Sequence, residues 1–178
     1  MQNKEASSGI KQLSIYKEQK ILLADVPNMV RVMSVLDASF DGSKYLKKYQ
    51  EIDAKYMQLL GAITFSIESN AQAQNLKAPI QKGLSAKNLT IKQSSGKNHF
   101  KIKISSTIEE ASSYGFTLAR SAIDITTQDA NGAIIGSNKL NITGQSTQGY
   151  AIAKESIAIK LSEMIRKEGI ERVLGLQI

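Results

Sequence analysis

The sequence predicts an α+β fold: a mainly antiparallel sheet, built from a strand meander and hairpins, covered on one face by two or three helices. Three observations predict it. Residues 44–60 and 150–167 carry apolar side chains at three- and four-residue steps, the spacing of one helix face. Residues 98–108, 116–127 and 133–143 instead alternate apolar and polar side chains, the period of a half-buried strand. Between the last two stands Asp129-Ala130-Asn131-Gly132, whose Asn and Gly tolerate the positive φ of a tight hairpin. A chain of 178 residues with 42% apolar residues is one domain in length and buries a core without metal or disulfide.

From the start of the chain, residues 1–11 (MQNKEASSGIK) are polar and small and predict a flexible tether, followed by a single α+β domain over 12–178. The tether has no apolar centre and is not a signal peptide. Residues 21–26 and 29–36, rich in Val, Ile and Leu around Pro27-Asn28, read as two short strands or one interrupted strand. Residues 37–43 form a polar turn and a soft boundary. In the helix 44–60, Tyr45, Tyr49, Ile52, Tyr56, Leu59 and Leu60 share a face that reads as core, with the tyrosine hydroxyls at its rim. Asp41 or Ser43 caps its start.

Residues 62–68 switch to period two, with Ile63, Phe65 and Ile67 inward. Ser69 or Asn70 caps the next helix, in which Pro79 marks either a kink or the first turn of a second helix. Residues 89–92 are a short strand and Ser94-Ser95-Gly96 a turn. In 98–108, Phe100, Ile102, Ile104 and Ile108 face inward, with Lys101, Lys103 and Ser105 opposite. Residues 111–115 read as a loop. Ala119, Ile123 and Ile125 then supply one inner face and Ile134, Leu140 and Ile142 another. Gly136 leaves room for a bulge or a close neighbour. The last helix buries Tyr150, Ala153, Ile157, Leu161, Met164 and Ile165, with Ser146 or Thr147 as N-cap and Gly169 as C-cap. Residues 170–178 form a final strand or a docked tail.

The net charge of +7 is concentrated in the middle of the chain. Between Glu68 and Glu109 there is no acidic residue, while Lys77, Lys82, Lys87, Lys92, Lys97, Lys101 and Lys103 fall inside that window. These seven lysines are the candidate binding residues, because such a stretch sets up a local positive potential. Acidic glycan, lipopolysaccharide, anionic lipid or an acidic protein surface would suit it. The alternative is a solvated lysine-rich face. Nucleic acid fits poorly: the stretch lacks Arg, which grips phosphate bidentately, and lacks exposed aromatics for base stacking.

Signals of chemistry are few, and the expectation is a non-enzyme with no cofactor and no metal. With one His and no Cys, a zinc site would have to be built from carboxylates. His99 is in phase with Lys101 and Lys103 and reads as a surface or strand-edge side chain. Gly144-Gln145-Ser146-Thr147-Gln148-Gly149 has the strand-to-helix placement of a phosphate loop or a nucleophile elbow. It lacks the Lys of the first and the second Gly of the other. Glu109-Glu110 diverge as sequence neighbours, and Arg120–Asp124 reads as a structural pair. An enzyme with a minimal carboxylate or hydroxyl site stays as the weakest alternative.

From 100 to 165 the chain runs as strand, strand, DANG hairpin, strand, then Gly144 to Tyr150 and an Ala-rich helix (YAIAKESIAIKLSEMI). From 80 to 105 (IQKGLSAKNLTIKQSSGKNHFKIKIS) it runs helix, strand, strand. Together, over about residues 80–165, this resembles a module of small Gram-negative envelope lipoproteins, including ones associated with outer-membrane and flagellar assembly. The resemblance implies a non-catalytic binding or assembly part in the periplasm or at the outer membrane, with an envelope protein or acidic envelope polymer as partner. It carries over no functional residues. The family's lipidated Cys is missing here; the polar leader resembles the tether that follows it, which would put that Cys at the position of Met1 in the native protein.

Overall fold

The period-two segments of the second half build the three long strands of the sheet. In the computed structural model, which describes residues 6–93 and 96–176, these are β3 (His99–Ser113), β4 (Phe116–Gln128) and β5 (Ile134–Ser146), paired antiparallel in sequence order. Two shorter strands, β1 (Thr64–Ser69) and β2 (Thr90–Ile91), extend the sheet in the order β2-β1-β3-β4-β5. β1 is parallel to both of its neighbours. A parallel neighbour needs a crossover, supplied here by a 3-10 helix (Ala71–Leu76) and α4 (Lys77–Ser85) between β1 and β2. The fold is thus α+β, with the antiparallel meander carrying most of the pairing.

Two turns set the meander's register. Asp129 Oδ1 accepts from the amides of Asn131 and Ala133, both at 2.9 Å, and of the two residues expected to take a positive φ in the DANG turn only Gly132 does, at 82°. The other hairpin is tighter than expected. Residues 111–113 belong to β3, and only Tyr114-Gly115 turn the chain, both with positive φ (49° and 79°). That is the requirement of a two-residue turn whose twist matches the strands.

One sheet face is apolar and carries the core. Phe65, Phe100, Ile102, Ile104, Ile123 and Ile125 are fully buried there. They pack with Ile80 and Leu84 of α4, Ala153, Ile157 and Leu161 of α5 (Tyr150–Glu168), and the tail residues Ile170, Val173 and Leu174. A short helix, α6 (Ile170–Val173), begins that tail, which therefore docks as a helix and turn and not as a strand. Asn70 caps the 3-10 helix through Ala73 N at 3.0 Å, and its amide Nδ2 donates to Ser106 O of β3. Gln72 Oε1 accepts from Ile108 N at 3.1 Å. Pro79 lies in the first turn of α4, the second of the two arrangements expected.

The first quarter of the chain departs most from expectation. Residues 6–11, read as tether, begin α1 (Ala6–Leu22); Ile10 and Leu13 are buried in the core and tie this helix down. The strands read over 21–26 and 29–36 are the end of α1 and a separate helix, α2 (Val26–Leu36), with Pro27 in its first turn. The segment is apolar on several sides, and continuous apolarity does not distinguish strand from helix. α3 (Ser43–Ala62) is the expected helix, with Ile52 and Leu60 buried. Its first tyrosine is not core: Tyr45 is exposed and stacks on Phe40, ring centres 6.2 Å apart. α1 packs along α3. The start of α1 and the end of α3 close the sheet–helix sandwich, while α2, which packs mainly on α3, stands at the opposite end of both.

Two expected details differ in the second half. Ile134 is exposed, because a register shift at Thr127/Gln128 changes the phase of β5 at its start. The N-cap of α5 is Gly149, while Ser146 Oγ accepts from Gln148 N at 2.8 Å. Residues 1–5 of the expected tether, Ser94-Ser95 of the expected turn, and the last two residues of the tail lie outside the described residues.

Candidate functional site

The second sheet face is polar, and β-strand alternation determines what it displays. Cross-strand partners share a face, so the pairings Lys103↔Thr126, Ser105↔Asp124, Thr107↔Ala122 and Glu109↔Arg120 lay one row of this face beside another. On β1 the same phase presents Thr64, Ser66 and Glu68, and the parallel register sets Glu68 beside Lys103 and Ser66 beside Lys101.

Glu68 is the hub of this corner. Lys101 Nζ lies 2.9 Å from its carboxylate. That contact holds the Glu68 carboxyl below the usual carboxylate range; slight burial opposes it, and the charges of Lys101, Lys103 and Lys77 add to the lowering. His99 lies on the same face, opposite Thr64 and four residues along β3 from the partner of Glu68. Its Nδ1 is 2.9 Å from Thr64 Oγ1 and its Nε2 is 3.0 Å from Ser66 Oγ. Partial burial lowers its pKa, and the neighbouring charges of Lys101 and Lys92 lower it further.

Four of the seven candidate lysines therefore meet electrostatically: Lys77, Lys101 and Lys103 around Glu68, with Lys92 and Lys101 around His99. The others go elsewhere. Lys82 and Lys87, with Arg166, line a mostly apolar cleft of about 480 Å3 between α4 and α5 that also includes Ile159, Glu163 and Ile170. Lys87 is committed to Glu171 of α6, 3.0 Å away. Burial pushes Glu171 up, but its own backbone N–H and the Lys87 and Lys17 charges outweigh that and leave it lowered. Lys97 sits in the turn before β3. The acid-free window is thus divided between two sides of the molecule.

His99 has the outward phase expected of it, yet it is half-buried and held by two hydroxyls. The contact with Ser66 has the length of a nucleophile–base pair, but its surroundings do not activate it. Ser66 is only 3% exposed. Nδ1 meets a hydroxyl where a carboxylate would orient and stabilise an imidazolium, and the flanking lysines disfavour that cation. The arrangement pins β1 to β3. Because its folded-state pKa is lowered, the unfolded chain takes up His protons first as pH falls. Stability should therefore decline below the unfolded value of about 6.5, with a slope of at most about 1.4 kcal/mol per pH unit. Urea unfolding at pH 7.5 and 5.5 measures this, and His99→Asn should flatten that difference. A carboxylate origin would put the decline lower, near pH 4.

Sequence reasoning missed three features of this surface. Glu68 is its electrostatic hub, which follows only from the parallel β1–β3 register. Thr64 and Ser66 are buried hydroxyls on an otherwise wet face; their period-two phase with Glu68 was the available signal. Asp124, expected beside Arg120, has Lys139 Nζ at 3.4 Å from the next strand. Among the described residues, no group of three or more His, Asp or Glu is arranged to hold a metal ion, and no helix is long and apolar enough to cross a membrane.

No family model and no curated protein sequence matches the chain. Solved structures do. A minor lipoprotein from Acinetobacter baumannii is similar over 61% of this chain and 92% of its own, with 14% identity and a TM-score of 0.50. A lipoprotein from Neisseria meningitidis matches over 60% of this chain and 99% of its own, at 10% identity and a TM-score of 0.40. Lipoprotein B from Nitrosomonas europaea matches over 63% and 79%, at 14% identity and a TM-score of 0.38. The chain thus resembles lipoproteins of Gram-negative bacteria at low identity over part of its length, and with the first of them it shares a fold.

Proposed function

We propose that the chain is a non-catalytic domain of a cell-envelope lipoprotein, a binding or assembly module working in the periplasm or at the outer membrane. The observation that supports this most is the fold shared with the Acinetobacter lipoprotein. The surface fits the same reading: one sheet face is sealed by helices, and the other is a broad field of short polar and charged side chains, suited to contact more than to enclosure of a substrate. Fractionation of the native organism tests the assignment. The expected result is a membrane-associated protein whose N-terminal peptide carries a diacylglyceryl-modified cysteine by mass spectrometry. An unacylated protein in the cytosol would overturn it.

A second reading concerns the partner. The cluster of Lys77, Lys92, Lys101 and Lys103 favours an acidic envelope polymer such as a glycan or lipopolysaccharide. Exposed ammonium groups act through a screened potential. Affinity for heparin or lipopolysaccharide should therefore fall steeply between 50 mM and 500 mM salt, and Lys92→Glu/Lys103→Glu should abolish it. Salt-insensitive binding would exclude these lysines as its source.

A further inference from the structure

We propose that the far half of the uncovered sheet face is a binding site for an uncharged, extended oligosaccharide, separate from the lysine cluster at the start of β3 and independent of any lipid anchor. Ala122 is its centre. On that face its lateral neighbours are Thr107 and Asn141, and the next row holds Glu109, Arg120 and Thr143. A lone methyl group among longer side chains leaves a depression of about 320 Å3, lined by these residues. Past Arg120 the face turns apolar: Leu118 is half-buried opposite Ala111, and Phe116 is 42% exposed. From Ala122 to Phe116 the strand covers about 20 Å, room for several sugar rings in a row. No residue from Ala111 to Ala119 is charged.

Three features select this ligand. First, the charges balance. Arg120 and Lys139 stand on this half of the face against Glu109 and Asp124, with Lys139 and Asp124 paired at 3.4 Å, so no net potential recruits an ion. Second, the lining both donates and accepts, as a sugar hydroxyl does. The Asn141 amide and the Thr107 and Thr143 hydroxyls do both, the Arg120 guanidinium donates and the Glu109 carboxylate accepts. Among the described residues none of these five side chains has an ion pair or hydrogen bond of its own, so their capacity is unspent. A sugar ring also presents an apolar C–H face, which the Ala122 methyl and the Leu118–Phe116 row can cover. Third, Tyr114 is an outlier. The two-residue turn needs a positive φ there, 49°, which Asn or Gly supplies easily and a bulky side chain adopts only under strain. Its ring is 99% exposed and recovers nothing by burial. Backbone strain without a structural return points to function, and a bare aromatic at the end of an uncharged face is suited to stack on a sugar ring.

Titration of the full chain with chitohexaose and with cellohexaose, followed by amide NMR, tests the proposal. At least one should bind with a dissociation constant on the order of 1 mM or tighter, moving the amides of Leu118, Arg120, Ala122 and Asn141 most. Affinity should change less than about twofold between 50 mM and 500 mM salt, and Lys92→Glu/Lys103→Glu should leave it intact, which separates this site from the lysine cluster. Ala122→Leu fills the depression from the solvent side, so it should weaken binding at least about tenfold while the melting temperature stays as in the parent. Tyr114→Gly gives the sharper outcome: affinity falls while the melting temperature holds or rises, the reverse of what a structural tyrosine would show. The proposal is overturned if neither sugar binds, if the shifts map to another surface, if binding falls with salt, or if either Ala122→Leu or Tyr114→Gly leaves affinity intact.

Discussion

Ile102→Asp abolishes the cooperative thermal transition. Ile102 is 0% exposed and sits mid-strand, with Ile67 of β1 and Thr127 of β4 as its lateral neighbours. Above it lies the apolar cluster contributed by α4 and α5. A carboxylate there has no cation within the core to meet and loses its water. We expect a loss of at least about 4 kcal/mol, read as an absent melting transition and increased proteolysis. The adjacent position is the control. Lys103 points to the opposite face, so Lys103→Glu should leave the melting temperature nearly unchanged. Lys101→Glu additionally removes the pair with Glu68, a half-exposed contact whose kind contributes at most about 1 kcal/mol. A destabilised Lys103→Glu would mean that the strand phase is wrong.

The second large effect is expected at Gly144. This residue lies in β5 directly beneath α5, and a Cβ there would collide with the carbonyl oxygen of Ala153 and stand 2.6 Å from Ser156 Oγ. The obstacle is helix backbone, which cannot swing aside as a side chain would. Ser156 is itself engaged, donating to Ala153 O at 2.9 Å and accepting from Gln145 N at 3.0 Å. Gly144→Val must therefore lift the helix from the sheet along β5. We expect a destabilisation of at least about 3 kcal/mol, or a fall in melting temperature on the order of 10 °C for a chain of this size. Gly61→Val offers the contrast, since nothing stands within 4 Å of the corresponding Cβ position.

The second half of the chain was legible because its period is unambiguous. Phe100, Ile102 and Ile104 alternate cleanly with Lys101 and Lys103, and a one-residue slip would exchange core and surface. The Asn-Gly turn and Gly169 are local signals that long-range contacts did not override. Residues 21–36 were misread: Met29, Val32, Met33 and Leu36 recur at helical steps, but Val26, Val30 and Val35 between and beside them blur that period into a continuous apolar run. Its exposure in the folded chain removes the burial pattern that would have helped. The lysine cluster was half legible. The acid-free window is a property of composition, but its division between two sides of the molecule depends on the crossover from β1 to β2. Glu68 became its hub through a parallel register, which links residues more than thirty positions apart and leaves no trace in local spacing.

The amide side chains of Asn70 and Gln72 have a further consequence. β1 pairs with β3 only as far as Ile104, so the rest of β3 on that side would present bare N–H and C=O groups, a template for intermolecular strand addition. Asn70 engages both N–H and C=O of Ser106, and Gln72 accepts from Ile108. On the core-side face of β5, Asn138 Nδ2 donates to the carbonyls of Arg172 and Val173 and holds the docked tail. The overhang of β3 beyond β1 is thus occupied by side chains of the same molecule, which discourages ordered aggregation through that stretch of strand.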